Sequence, residues 1–92
     1  MTAYSIATHS VKDFETWKTV FDQFEPVRQK SGERSAVVLR HSDALNLVSV
    51  INTWDTIETV QAFFVREDLK TGMAEGGVTD LLRLSLVRRS NF

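Results

Sequence analysis

The chain has 92 residues, a hydrophobic fraction of 42%, a charged fraction of 25% and a formal net charge of -1. That length suits one domain spanning residues 1–92, and the composition is that of a globular protein rather than a disordered one. Scattered Lys and Arg among Asp and Glu argue against a nucleic-acid partner, and the absence of cysteine removes disulfides, thiolate nucleophiles and cysteine-ligated metals. No apolar run approaches the ~20 residues that span a bilayer, and the opening MTAYSIATHSVKD lacks the charged start and apolar core of a signal peptide. A cytoplasmic protein with no membrane contact is expected.

The first element is a strand, Tyr4 to His9, with Tyr4, Ile6 and Thr8 on one face and Ser5, Ala7 and His9 on the other. Asp13 then offers a helix cap, and Phe14, Trp17, Phe21, Phe24 and Val27 recur at the three- and four-residue spacing of one apolar helix stripe. Pro26 interrupts that stripe. It has no N–H and clashes with the carbonyl four residues back, so a kink near Asp22–Pro26 or a break into a second short helix is expected. Gly32 ends the helical stretch.

Ser35 to Arg40 reads as a second strand, His41-Ser42-Asp43-Ala44 as a turn, and Leu45 or Asn46 to Trp54 as a third strand paired with it in a hairpin. Asp55-Thr56 caps a second helix whose stripe is Ile57, Val60, Phe63 and Phe64. Leu69 and Met73 suggest a further short turn of helix, closed by Gly76-Gly77, and Leu81 to Val87 forms the last strand. The glycine pair is a turn; it lacks the Lys-Ser/Thr and the preceding strand of a phosphate loop.

The order strand, helix, strand, strand, helix, strand is the βαββαβ pattern of an α+β, ferredoxin-like fold: a four-stranded antiparallel sheet with two helices on one face. The last three strands carry Val or Leu on both faces, whereas an antiparallel sheet with one wet face alternates apolar and polar. A twin subunit offering the same face is the simplest cover, so a homodimer through the open sheet face is expected. It would also relieve the small burial available to so short a chain.

Two stretches carry a resemblance to a known family. The run His9-Ser10-Val11-Lys12-Asp13-Phe14, with Trp17 and Phe21 behind it, resembles the opening of dimeric α+β-barrel proteins. The run Val50-Ile51-Asn52-Thr53-Trp54-Asp55, followed by a helix and Leu69-Lys70, resembles their third strand and second helix. The likeness covers nearly the whole chain and is nearest to the antibiotic-biosynthesis-monooxygenase-like group. It implies a pocket in each subunit between helices and sheet. It also admits several activities, among them cofactor-independent oxygenation of polyketide quinones and haem degradation. Haem-degrading members place a Trp on the second helix and a haem-ligating His beyond it; the matching positions here are Phe63 and Met73, so no haem is expected.

His9 is the one catalytic candidate. It ends the first strand beside small Ser5 and Ala7, where an imidazole can act as a general base or bond a substrate oxygen; a strand-end histidine bonded to backbone or water is the alternative. Trp17, Phe21, Phe63, Phe64 and Met73 are either pocket walls or plain core, and Asn52 and Trp54 on one face of the third strand are either ligand contacts or structural. His41 beside the turn reads as solvated or at a dimer edge, and Arg28 and Arg34, flanking Gly32, read as a solvated helix end or as a lid over an acidic or phenolate group. Two distant histidines without carboxylates at ligand spacing give no metal site, and no cofactor is expected. Three readings of function remain at this level: a homodimeric binder of a small apolar or aromatic ligand, a cofactor-free monooxygenase or cyclase-like enzyme acting on a quinol-type aromatic, and a structural or regulatory dimer with a filled core.

Overall fold

A computed structural model describes residues 2–90. The elements run β1 (Ala3–Val11), α1 (Phe14–Gln23), α2 (Glu25–Lys30), β2 (Glu33–His41), β3 (Ala44–Trp54), α3 (Ile57–Phe64), α4 (Glu67–Glu75) and β4 (Val78–Arg88). The strands form one antiparallel sheet in the order β2-β3-β1-β4, which is the ferredoxin-like arrangement. Each strand is longer than the apolar runs alone indicate, because ladder pairing carries polar residues such as Glu33, Ser10 and Arg88 into the sheet.

Local chemistry sets the helix limits. The Asp13 carboxylate accepts from the Thr16 backbone N–H at 2.9 Å and from its hydroxyl at 2.8 Å, so it caps α1, and those bonds hold its pKa below the ordinary value. Pro26 produces a break rather than a kink: α1 stops at Gln23, Phe24 serves as hinge, and Pro26 stands in the first turn of α2 where no N–H is needed. Thr56 and Thr59 bond each other reciprocally at the start of α3. The segment around Leu69 and Met73 is a nine-residue helix, α4, rather than a short turn. Gly32 has φ +108°, and a Cβ there would stand 3.0 Å from Thr59 Cβ, so α2 can turn into β2 under α3 only through glycine.

The four helices lie on one face of the sheet, over Ala3, Ser5, Ala7, His9 and Val11 of β1 and Val48, Val50, Asn52 and Trp54 of β3. This interior is two clusters rather than one. At one end Ala3, Trp54, Val60 and Phe63 pack together; at the other Val11, Trp17, Val48 and Val50 do. On the opposite face no helix among the described residues lies over Ile6, Val37, Leu39 and Val87, which are 37–50% exposed.

Candidate functional site

Between the two clusters the helices and sheet leave a partly open cavity of about 70 Å³. Its floor is the strand pair β1–β3. Ala7 and Val50 are cross-strand partners, and the short Ala7 side chain leaves the depression. Trp17, Val20 and Phe21 of α1, with Phe24 and Arg28, form one wall; Phe63 and Phe64 of α3, with Leu69, Gly72 and Met73 of α4, form the other. The walls approach closely at Gly72, where a Cβ would stand 2.9 Å from the Phe24 ring. Trp17 stacks on Phe21 with centroids 4.9 Å apart, so the α1 wall is a flat aromatic surface.

Polar groups stand at two ends of this floor. Ser5 lies opposite Asn52 in the ladder and His9 lies four residues further along β1, a separation of about 13 Å at the usual rise of a strand. His9 is buried, its ring edge-on to Trp17 with centroids 5.7 Å apart. Its Nδ1 is buried with no hydrogen-bond partner among the described residues. Burial lowers its pKa from the ordinary 6.5, so at neutral pH the imidazole is uncharged and keeps one nitrogen as acceptor. The sheet is irregular here: β4 shifts register between Thr8 and His9 and again between Ser10 and Val11, a distortion of the kind that re-aims side chains beside functional sites.

The other end carries a buried hydrogen-bonded chain. Trp54 Nε1 donates to Ser5 Oγ at 2.9 Å, and Ser5 Oγ donates to Asn52 Oδ1 at 3.3 Å. Asn52 Nδ2 donates to Glu33 Oε2 at 2.6 Å, and the same oxygen takes Arg28 Nε at 2.7 Å. The Arg28 and Glu33 side chains are only 6% and 5% exposed. Arg28 Nη1 also donates to the Phe21 carbonyl near the break between α1 and α2, and its guanidinium lies 3.7 Å above the Phe21 ring. A buried cation thus has a carboxylate, a carbonyl and an aromatic face, which is what keeps its burial tolerable.

The cavity brings together His9, Trp17, Phe21, Asn52, Phe63, Phe64 and Met73. Trp54 stands apart. It is fully buried behind the wall, tilted against the cavity-lining Phe63 with centroids 5.0 Å apart and edge-on to Phe64 at 6.3 Å, and its N–H reaches Asn52 through Ser5. Arg28 lines the cavity instead of ending a solvated helix, whereas Arg34 is exposed and pairs with Asp55 at the surface. His41 is exposed and its Nε2 lies 3.1 Å from Ser49 Oγ on the uncovered sheet face. Glu33, which joins Arg28 to Asn52, had no signal in the sequence: one acidic residue after a glycine reads as a loop charge.

Among the described residues no group of three or more His, Asp or Glu could hold a metal ion, and no helix is long and apolar enough to cross a membrane.

No protein-family model matches the chain, and no curated protein matches it in sequence. Solved structures do match it in shape. SnoaB, a cofactor-independent oxygenase from Streptomyces nogalater, superposes with a TM-score of 0.79 at 13% identity, over 99% of this chain and 95% of that one. The chain shares that oxygenase's fold. A candidate antibiotic biosynthesis monooxygenase from Bordetella bronchiseptica gives 0.78 at 13% identity over 97% of each chain. Another from Caulobacter crescentus gives 0.78 at 10% identity, over 98% of this chain and 91% of that one. At these identities the likeness speaks for the fold; residue roles come from the geometry above.

Proposed function

We propose that this protein is a homodimeric binder of a small, flat, largely apolar ligand, held in the cavity between the helices and the sheet. The observation that carries the reading is the orphaned Nδ1 of His9 beside an aromatic-walled cavity. A buried nitrogen without a partner is costly, and a ligand hydroxyl would complete it. The ring face of such a ligand matches the Trp17–Phe21 stack. An apolar cavity of roughly 150 Å³ takes up benzene, so the half-buried Phe64, Leu69 and Met73 side chains must yield to admit one or two rings. The exposed apolar face of Ile6, Val37, Leu39 and Val87 is read as the surface that meets the twin. Light scattering at micromolar concentration checks this; a stable monomer contradicts it.

Calorimetric titration with 1-naphthol tests the pocket. One molecule should bind per chain, and Met73→Trp, which fills the cavity, should weaken binding about tenfold, the loss of one well-packed ring contact. Absence of saturable binding, or indifference to Met73→Trp, would contradict the proposal.

The uncharged His9 favours a second reading, cofactor-free oxygenation, here of a quinol-type aromatic; cofactor-independent oxygenase is all that SnoaB's name states of that protein. A substrate with an acidic ring CH2 loses a proton to His9, and its carbanion passes an electron to O2. The radical pair joins as a hydroperoxide, and His9 returns the proton. Loss of water leaves C=O, so one CH2 and one O2 become one carbonyl and one water. Oxygen uptake with 9-anthrone checks it: His9→Ala should abolish uptake with the dimer intact. If uptake survives that change, His9 is not the base.

A further inference from the structure

Outside the cavity, on the far side of Phe21 and Arg28, lies a polar groove between α1, α2 and β2. Phe21 and Arg28 line both spaces, so the two adjoin at the stacked guanidinium and ring. Arg28 spends Nε on Glu33 and Nη1 on the Phe21 carbonyl; its Nη2 makes no hydrogen bond among the described residues. A fixed donor therefore stands at the boundary with hydrogens unused.

We infer that the cavity and the groove hold one ligand between them, an aromatic body inside and a neutral hydroxyl- or carbonyl-bearing arm outside, with an arm oxygen accepting from Arg28 Nη2. This rests on the cavity reading above and adds the class of substituent. Neutrality follows from the groove's charges. Lys18, Arg28 and Arg34 face Asp22, Glu25 and Glu33, three cations against three anions. Lys18 is paired with Asp22 at 2.6 Å, Arg28 with Glu33 at 2.7 Å, and Arg34 with Asp55. Asp55 does not line the groove, so Glu25 is left without a cation partner among the described residues; an anionic arm would meet that carboxylate and a cationic arm the Arg28 guanidinium, whereas a hydroxyl can accept from Arg28 and donate to Glu25. Uncharged hydroxyls and carbonyls match the Glu25 carboxylate and the Gln29 amide bonded to it at 3.1 Å, both of which line the groove.

The test compares three probes by calorimetry: phenol, phenyl β-D-glucoside and phenylacetate. The glucoside should bind about tenfold or more tighter than phenol, the worth of one or two added hydrogen bonds. Glu25→Ala combined with Gln29→Ala should bring the glucoside down to the level of phenol, and phenylacetate should bind no tighter than phenol. If phenol binds and the glucoside gains nothing, or keeps its gain in the double variant, the groove inference is overturned while the cavity stands. If phenylacetate binds tightest, the arm is anionic and the inference is overturned in its chemistry. If no probe binds, the cavity reading fails and takes this inference with it.

Discussion

Trp54 and Trp17 occupy two ends of one interior and are used in different ways. Trp54 is sealed: it packs against Phe63 and Val60, and its N–H is bonded to Ser5. Trp17 is also buried, but its neighbours are the Phe21 ring, the unpartnered His9 imidazole and the cavity. The first end is filled and its polar atoms are satisfied. The second leaves a space and an unsatisfied atom together, and that conjunction separates a candidate site from core.

Substitutions at the two ends should divide accordingly. Trp54→Ala should cost about 3–5 kcal/mol, the usual range for emptying a large aromatic from a packed core. Trp17→Ala should fall below that range, because one side of the ring already borders a cavity and gives up fewer contacts. Urea unfolding of both variants checks the difference, and equal losses would erase it.

A smaller effect tests the polar chain at the sealed end. Ser5→Ala strands the Trp54 N–H and one lone pair of Asn52 in the interior, at about 1–3 kcal/mol. Since Asn52 also lines the cavity, the same variant should weaken ligand binding. A stability loss with unchanged 1-naphthol affinity would show that the chain holds the fold without orienting the site.

How much of this was legible beforehand differs between the two ends. The element order, the α1 stripe of Phe14, Trp17, Phe21 and Phe24, and the shared face of Asn52 and Trp54 follow from periodicity, a local property. Which tryptophan borders the space does not, because it depends on where α1 and α3 cross the sheet, and both residues have the same chemistry and a suitable spacing. The Arg28–Glu33–Asn52 cluster was hidden for a related reason. It joins α2, β2 and β3 through the turn at Gly32, and its members look solvated until the pairing is seen. The β4 shift beside His9 involves Leu81, Leu82 and Arg83, whose apolar pattern marks a strand but not its register.

The smallest expected effect concerns pH. The His9 pKa is lowered by burial, so the unfolded chain holds the proton more tightly than the folded one. Stability is therefore full above the ordinary value of 6.5 and declines as pH falls through 6.5 toward the folded value. His9→Gln should remove that decline while leaving any acid-range loss from the carboxylates. Thermal melts of the two proteins across this window check it; identical slopes would mean that His9 is not desolvated as described.

The claim that the open end takes a ligand and the sealed end does not is tested most directly by the two indole N–H signals in an NMR titration, assigned with Trp17→Phe. On adding 1-naphthol, the Trp17 signal should shift and saturate while the Trp54 signal stays close to its starting position. Equal movement of both signals, or movement of Trp54 alone, would contradict the account.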